Sequence, residues 1–254
     1  MKSVVYHEIG CSQALNKLKR RMPYSWDLNV YRGCQHGCVY CYARHTHDYL
    51  GSDDFSNDIF IKTNIVERLE KELSHPNWRK EVINIGGVTD SYQPAEEHYR
   101  IMPDVLRLLI EYRTPAIIST KSDLILRDYD LIDALARITY VNIAVTVTTM
   151  DEDLRARIEP DAVESYRRFN VLKAFANTSA STGLHVMPII PHLTDGPENF
   201  AALFQMGKKG RRRLRSAGHP LSARQNEKTI FCFHRKRISE PVWHLYRALS
   251  NRRG

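Results

Sequence analysis

Apolar residues follow two different periods along this 254-residue chain, and the two periods alternate. Short apolar runs of strand type are separated by segments in which apolar positions recur with the period of a helix that buries one face. The runs predict five strands, at residues 28–31, 82–85, 116–120, 141–147 and 184–190. The helical segments lie at residues 64–73, 101–112, 128–138, 152–158, 165–178 and 198–206.

This order predicts the fold class. Strands separated by single helices are typical of βα units, in which each helix returns the chain to the same edge of a parallel sheet. We therefore expect an α/β protein whose sheet is open or closed into a barrel. In such barrels the functional residues lie at the carboxyl ends of the strands, so those ends should carry the chemistry.

Three of the five cysteines lie just after the first predicted strand. Cys34, Cys38 and Cys41 have a C-x3-C-x2-C spacing, and three thiolates on one short loop can hold three irons of a cubane 4Fe-4S cluster. The fourth iron then stays open and can bind the amino and carboxylate groups of a ligand, which is the chemistry needed to reduce a sulfonium. We interpret Cys11 and Cys232 as ordinary thiols.

The loop resembles the cluster loop of the radical S-adenosylmethionine (SAM) superfamily, and the chain is most similar to the spore photoproduct lyase-like branch, also labelled DNA repair photolyase-related. The resemblance covers about residues 22–206. Its most specific pieces are residues 28–34, 40–42, 86–96, 120–122 and 158–160. It implies a partial (β/α)6 TIM-like barrel, with a 4Fe-4S cluster on the three cysteines and S-adenosyl-L-methionine as cofactors.

The resemblance also implies an activity and partners. Reductive cleavage of SAM would give methionine and a 5′-deoxyadenosyl radical, which abstracts a hydrogen atom from the substrate. The electron donor would be a reductant of the flavodoxin or ferredoxin type. The sequence does not identify the substrate, and the branch makes damaged DNA one candidate for a lyase-like reaction.

Residues around the methionyl end of SAM follow from the same resemblance. Gly86 and Gly87 come after the second strand, where a backbone without Cβ lets a ligand approach closely. Thr89 and Asp90 are the candidates for the methionyl amino group. Lys121, at the end of the third strand, would pair with the methionyl carboxylate, although a solvated lysine is an ordinary alternative.

The other cofactor contacts would come from later strands and from the cysteine loop. Thr146 on the fourth strand matches a hydroxyl that contacts the cofactor in the lyase branch. Ile190, at the end of the fifth strand, would belong to an apolar shelf for adenine, and Tyr40 would lie against the cofactor. Tyr40 and Tyr42 are also the catalytic candidates, because the resemblance implicates both in passing a hydrogen atom.

One departure from the lyase limits this prediction. In spore photoproduct lyase a cysteine at the end of the second strand donates a hydrogen atom to the product radical. This chain has Gly87, Val88 and Thr89 there, and no cysteine lies nearby in the sequence. The lyase's own reaction is therefore not expected by the same route.

An alternative function belongs to another class of protein. The three cysteines could form a zinc site with His36 or His45 as the fourth ligand, in a non-catalytic protein that binds nucleic acid through a basic tail. The C-x3-C spacing is less usual for zinc, which favours C-x2-C pairs, and a second ligand pair is missing downstream.

The positive charge lies almost entirely at one end of the chain. Residues 207–254 contain 14 Lys or Arg and two acidic residues, a net charge of +12, whereas residues 1–206 have a net charge of −4. The total of +8 therefore says little about the part that carries the predicted chemistry. A basic balance indicates nucleic acid only where the charge lies on the folded domain.

The tail also departs from the family pattern, which would continue with a sixth strand. Four arginines within residues 211–215 do not suit a buried parallel strand, so we expect the sixth strand to be disrupted. With suitable codons, a one-nucleotide offset converts residues 210–215 into a peptide that begins Ala-Ala-Ala-Asp-Tyr, which matches the missing strand. We predict a lead-in at residues 1–21, a radical SAM core domain at 22–206 and, at 207–254, a basic tail or out-of-frame translation.

No apolar run approaches the roughly 20 residues that cross a bilayer. The first residues show no signal-peptide core. We expect a cytoplasmic protein without a membrane partner.

Overall fold

A computed structural model of the protein describes residues 3–19, 22, 24–209 and 232–235. None of the helices in these ranges is long and apolar enough to cross a membrane. The strands are β1 (Val5–Ile9), β2 (Leu15–Lys17), β3 (Trp26–Leu28), β4 (Tyr31–Arg32), β5 (Asp58–Lys62), β6 (Ile83–Ile85), β7 (Ala116–Thr120), β8 (Val141–Thr146), β9 (Ser181–Ile189) and β10 (Cys232–Arg235). The α-helices are α1 (Ile65–Leu73), α2 (Ala95–Tyr99), α3 (Ile101–Glu111), α4 (Tyr129–Ile138), α5 (Glu152–Ile158), α6 (Ser165–Phe175) and α7 (Pro197–Lys209). Two 3-10 helices span Tyr42–Leu50 and Leu124–Asp128.

Seven strands form one sheet, in the order β10-β9-β8-β7-β6-β3-β2. Six of them, from β10 to β3, run parallel to their neighbours, and β2 is antiparallel to β3. The predicted α/β architecture is therefore confirmed. In the described part of the chain β10 and β2 are the two ends of the order, so the sheet is an open partial barrel.

A second sheet has three strands, in the order β1-β5-β4. β1 is parallel to β5, and β4 is antiparallel to β5. The apolar pattern did not predict this sheet, because β4 has only two residues and β1 and β5 mix polar and apolar positions. Its place is important, because the segment that leaves β4 carries the three cysteines.

Alternate residues of the parallel strands pack into one hydrophobic core. Val141, Ile143 and Val145 of β8 belong to this core, together with residues of α3, α4 and α6. Successive side chains of a strand point to opposite faces of the sheet. Asn142 and Thr146 therefore lie on the other face, which we call the inner face.

The predicted strands and helices are all present, and their ends differ in ways that the structure explains. The predicted strand at residues 28–31 is divided, because β3 ends at Leu28 and β4 begins at Tyr31 in the other sheet. The last predicted strand begins earlier than expected, at Ser181. Its first three residues, Ser181, Thr182 and Gly183, are not apolar, so the apolar run marks only the later part of the strand.

The sixth parallel strand is β10, which pairs with β9 and has a shift of register between Phe233 and Arg235. The disrupted sixth strand was predicted at residues 210–215, whereas the strand that the structure describes lies at Cys232–Arg235 and has four residues with an irregular register. The arginine-rich segment at 211–215 lies outside the described residues, as do all tail residues at 210–231 and 236–254.

Replacing Gly33 by alanine should strongly destabilise the fold. Gly33 has a φ of 83°, and a Cβ there would lie 2.6 Å from the Asp58 carbonyl oxygen. Gly51 has a φ of 66° and open space around it, so Gly51→Ala is a matched control for the backbone conformation alone. We expect Gly51→Ala to lower the free energy of unfolding by about 1 kcal/mol and Gly33→Ala by about 3 kcal/mol or more. Chemical denaturation of both variants measures the difference, and equal losses would contradict the close approach.

Candidate active site

Residues 33–41, which we call the cluster loop, carry the three predicted cluster cysteines. The loop leaves β4 and enters the first 3-10 helix, and it contains left-handed turns at Gly33 and Gly37. Cys38 is buried, and Cys34 and Cys41 are partly buried. The loop therefore brings three thiols together within one short, sharply turned segment.

Burial keeps two of these thiols protonated in the protein alone. It raises the pKa of Cys34 well above its usual value, and Asp90 and the other two thiols raise it further. Burial also raises the pKa of Cys38, to about 12, although Lys121 acts in the opposite direction. Iron that binds here would replace the protons, because the thiolate is the ligand.

The segment after β6, residues 86–96, holds the start of the cluster loop. The Thr89 hydroxyl donates to the Gly33 carbonyl at 2.5 Å, and the Gln93 amide donates to the same carbonyl at 3.2 Å. The Gln93 side-chain oxygen accepts from the Gln35 backbone at 2.9 Å. Thr89, which we predicted to contact the methionyl amino group, thus supports the loop, and its cofactor contact stays a prediction.

Asp90 joins three parts of the site. Its carboxylate accepts from the Thr120 hydroxyl at 2.8 and 3.0 Å and from the Lys121 backbone at 2.7 Å. His36 Nδ1 of the cluster loop lies 3.4 Å from the same carboxylate. Asp90 therefore fixes the end of β7 and the cluster loop relative to the segment after β6. Its predicted contact with the methionyl amino group also stays a prediction.

Neighbouring protein atoms require glycine at position 86 and leave little room for a Cβ at Gly87. Gly86 has a φ of 89°, and a Cβ there would lie 2.8 Å from the Ser119 carbonyl oxygen. A Cβ on Gly87 would lie 3.2 Å from the Asp27 carboxylate. These contacts show a close approach by the chain itself, and the predicted approach of a ligand to both glycines stays a prediction.

Tyr40 of the cluster loop is held by a buried polar network. Its hydroxyl donates to the Glu159 carboxylate and lies 3.2 Å from the Thr148 hydroxyl, which donates to the same carboxylate at 2.8 Å. Arg168 Nη1 lies 2.6 Å from Glu159 Oε2, and both side chains are completely buried. Burial alone raises the pKa of Glu159, but Arg168 and Lys121 outweigh it and hold the pKa below its usual value.

Lys121 places a positive charge beside the cluster loop. Its Nζ lies 5.8 Å from the centroid of the Tyr40 ring. Burial lowers the pKa of Lys121, but the attraction of Cys38 and Glu159 outweighs it and raises the pKa above its usual value. The predicted anion-binding lysine is therefore a cation beside the Tyr40 ring of the cluster loop.

Tyr42 differs from Tyr40 in its surroundings. It begins the first 3-10 helix, its side chain is half exposed, and its hydroxyl donates to the Gly87 carbonyl. Gly87 begins the stretch where the resemblance would place the hydrogen-donating cysteine. The structure thus brings a phenol to the position that lacks a thiol.

β8 and β9 contribute two neighbouring inner-face residues, and the segment after β9 contributes an apolar residue next to Tyr40. Thr146 and His185 are direct partners across β8 and β9. Burial lowers the pKa of His185 to about 4, and Lys121 acts in the same direction. His185 is therefore a neutral imidazole at pH 7. Ile190 belongs to a small apolar cluster against which Tyr40 packs, so the predicted adenine shelf lies next to the cluster loop.

The donor set and the shape of the loop fit a 4Fe-4S cluster. The loop supplies three thiols, the number needed for three irons. A Cβ on Gly37 would come within 3.2 Å of both Pro160 and Asp161, so this backbone lies against the loop that follows α5. The nearby Lys121 ammonium offsets the negative charge that three thiolates bring to a cluster.

The zinc alternative needs His36 or His45 as a fourth ligand. In the described ranges no group of three or more His, Cys, Asp or Glu side chains, the three cysteines included, is arranged to hold a metal ion as it stands. His36 faces Asp90 at 3.4 Å, and His45 Nδ1 lies 2.5 Å from the Tyr42 carbonyl oxygen. Both candidate fourth ligands thus contact other protein groups.

Glu159, Arg168 and His185 were not among the residues predicted from the sequence to act in the site. Arg168 lies on the buried face of α6 together with Phe169 and Phe175. A charged residue at an apolar position of a helix indicates a buried partner. His185 alternates with two core residues of β9 in the same manner. A polar residue at a position where the pattern expects an apolar one is therefore the sequence signal that identifies Arg168 and His185.

Solved structures of spore photoproduct lyase have a similar fold. The lyase complexed with dinucleoside spore photoproduct matches with a TM-score of 0.60 and 16% identity, over 81% of this chain and 57% of that chain. A lyase mutant with bound AdoMet and dinucleoside spore photoproduct matches with a TM-score of 0.64 and 15% identity, over 96% of this chain and 65% of that chain. At these identities the likeness shows the fold alone.

Curated relatives share more of the sequence. An uncharacterized protein of Mycobacterium tuberculosis is 36% identical over 205 residues, which cover 79% of this chain and 60% of the relative. An uncharacterized protein of Methanocaldococcus jannaschii is 29% identical over 168 residues, which cover 66% of this chain and 61% of the relative. The chain thus spans about three fifths of the length of these relatives.

The family model described as the Radical SAM superfamily matches residues 28–204. This range contains the cluster loop, the carboxyl ends of β3 and β6 to β9, and the buried pair of Glu159 and Arg168. It covers well over half of the chain. The chain therefore belongs to the radical SAM superfamily, whose enzymes use a 4Fe-4S cluster together with S-adenosylmethionine.

Proposed function

We propose that this protein is a radical SAM enzyme in which Cys34, Cys38 and Cys41 hold the cluster. The observation that carries the proposal is the place of the three thiols, on one loop that is hydrogen-bonded to Thr89 after β6 and to Glu159 after α5 and whose Tyr40 ring lies beside the Lys121 cation. When bound, the two cofactors supply reductive cleavage of SAM to methionine and a 5′-deoxyadenosyl radical, which abstracts a hydrogen atom from the substrate. The protein supplies orientation, charge and exclusion of water.

Lys121 is proposed to bind the methionyl carboxylate. A cation in a low-dielectric site attracts an anion strongly, and a buried charge without an opposite charge nearby is unfavourable. Its backbone nitrogen is fixed by Asp90 at 2.7 Å, so the side chain starts from a defined point. Lys121 would thus orient the cofactor relative to the thiols of the cluster loop.

The amino and adenine ends of SAM would meet other residues. Gly86, Thr89 and Asp90 remain our candidates around the amino group. The Gly87 carbonyl is a further acceptor, because it faces the Tyr42 hydroxyl. Ile190 and Tyr40, which lie in one apolar cluster, and Thr146 on the inner face would contact the rest of the cofactor and exclude water from it.

The substrate is proposed to enter along the inner face, next to Thr146 and His185. Thr146 is the last residue of β8, and His185 lies opposite it in the middle of β9. The carboxyl ends of the strands are the place where barrels of this type carry function. The resemblance to spore photoproduct lyase supports a lyase-like reaction with a damaged nucleic acid as the first candidate substrate. The net charge of −4 on residues 1–206 gives this no electrostatic support.

The last step, in which a side chain donates a hydrogen atom to the product radical, should differ from that of the lyase. No cysteine stands at residues 87–89. The Tyr42 phenol is the hydrogen-bearing side chain that contacts Gly87. We propose Tyr42 as the hydrogen donor at this position, with Tyr40 held further inside the protein.

Two partner and domain assignments complete the proposal. Radical SAM enzymes need a reductant, and we propose one of the flavodoxin or ferredoxin type. We also propose residues 22–206 as the core domain, with residues 1–21 as a lead-in that adds β1 and β2 to the two sheets, and with 207–254 as a basic tail or out-of-frame translation whose residues 232–235 form β10.

Anaerobic reconstitution with iron and sulfide should give a brown protein with about four irons per chain. Addition of SAM and a reductant should then yield 5′-deoxyadenosine. Alanine at any one of Cys34, Cys38 or Cys41 should abolish both results, because the other two thiols leave the cluster one ligand short. Iron analysis and chromatography of the nucleoside measure the two outcomes.

Cys11→Ala is the matched control, because Cys11 is a partly buried thiol outside the cluster loop. It should retain iron and 5′-deoxyadenosine formation. A colourless wild-type protein that holds stoichiometric zinc would overturn the proposal and support the zinc-binding alternative.

Lys121→Met should weaken SAM binding while leaving the iron content unchanged. Loss of one charge-assisted contact with the carboxylate should raise the dissociation constant about tenfold. Lys173→Met, on the exposed side of α6, is the matched control and should bind SAM as the wild type does. Anaerobic titration calorimetry of the reconstituted proteins measures the affinities, and equal values for Lys121→Met and wild type would exclude this role.

A further inference from the structure

An ion pair lies completely inside the protein, next to the cluster loop. Arg168 on α6 and Glu159, which follows α5, have no exposed side-chain surface, and Arg168 Nη1 lies 2.6 Å from Glu159 Oε2. The two partners come from different elements, so the pair ties α6 to the loop between α5 and α6.

The pair also reaches the cluster loop through its carboxylate. Glu159 Oε1 accepts from the hydroxyls of both Tyr40 and Thr148, which lie 3.2 Å from each other. The Tyr40 hydroxyl thus has two polar neighbours at fixed positions, and its ring is confined between them and the apolar cluster around Ile190.

Arg168 connects two further parts of the site. Its Nη1 donates to the Thr146 carbonyl at 2.9 Å, and its Nε donates to the Val163 carbonyl at 2.8 Å. One guanidinium therefore fixes the last residue of β8, a connecting loop and, through Glu159, Tyr40. Tyr40 and Thr146 are both candidates for contact with SAM.

Stability alone is a poor explanation for this arrangement. The cost of removing two charges from water offsets much of their attraction, and a well-packed apolar pair is often as stable. A planar guanidinium differs from an apolar side chain in having several donors in fixed directions. The specific contribution of Arg168 is therefore the relative position of the groups that it contacts.

We propose that Arg168 is a positioning residue that, acting through Glu159, fixes the Tyr40 ring against Lys121 for SAM binding. This inference rests on the proposed function, because SAM is the ligand that Tyr40 and Lys121 would meet. It adds the α6 arginine to a site that the sequence placed only on strand ends and on the cluster loop.

The decisive experiment removes both charges together, in the paired variant Arg168→Met with Glu159→Leu. The two buried charges are removed together, but two hydroxyls and two carbonyls lose a hydrogen-bond partner. We therefore expect the apo protein to melt roughly 5–10 °C below wild type and to take up the same amount of iron. The dissociation constant for SAM should rise about tenfold, because the Tyr40 ring loses its anchor. SAM should also perturb the EPR spectrum of the reduced cluster less than it does in the wild type.

A test of epistasis identifies Tyr40 as the residue through which Arg168 acts. Tyr40→Phe alone should raise the SAM dissociation constant by a similar factor, and adding it to the paired variant should have little further effect. If the increases in dissociation constant of Tyr40→Phe and of the paired variant multiply when the two are combined, positioning through Tyr40 is contradicted. Arg137→Met is the control arginine, because Arg137 pairs with Asp133 on the exposed side of α4, and it should leave the affinity unchanged.

Thr148→Val provides a second route if the paired variant does not fold. It removes one hydroxyl neighbour of Tyr40 without changing any charge, so we expect full iron content and a roughly threefold rise in the dissociation constant. Unchanged affinity in a folded, iron-loaded paired variant, or in Thr148→Val, would overturn the inference. Failure of the reconstituted wild type to bind SAM would instead refute the proposed function.

Discussion

The cluster loop has neither a helix nor a strand between Gly33 and Cys41, so its shape depends on contacts made by other segments. Hydrogen bonds from the 86–96 segment hold its beginning. The Ile158 carbonyl accepts from the Val39 backbone at 3.0 Å and holds its middle. Every later feature of the site depends on this constraint, because three cysteines can share a cluster only if the backbone between them is fixed.

The groups that fix the loop are buried polar side chains. Asp90 and Glu159 each accept several hydrogen bonds, and each lies near a cation or an imidazole. Buried polar groups are costly when they lack partners and rigid when they have them. The protein therefore obtains a defined cluster loop from networks that join β6, β7 and the loop after α5, and the same networks place Lys121 and Tyr40.

Much of the fold could be predicted from sequence, because its signals are local. The alternation of apolar runs and helical segments gave the order of β3, β6, β7, β8 and β9 and of the helices between them. The small sheet of β1, β5 and β4 was missed, because short strands with mixed burial leave a weak apolar pattern. Gly86 and Gly87 were identified as special because of a ligand, which stays a prediction, and the structure adds a close approach by Ser119 and Asp27.

The sequence by itself determined the chemistry of the donor set. The spacing of Cys34, Cys38 and Cys41 is a local property of eight residues, and it favours a cluster over zinc without reference to the fold. Only the tertiary structure decided how Tyr40 is held, since its partner Glu159 lies 119 residues away and Arg168 lies on another helix. No sequence period links residues so far apart, because packing of separate elements brings them together.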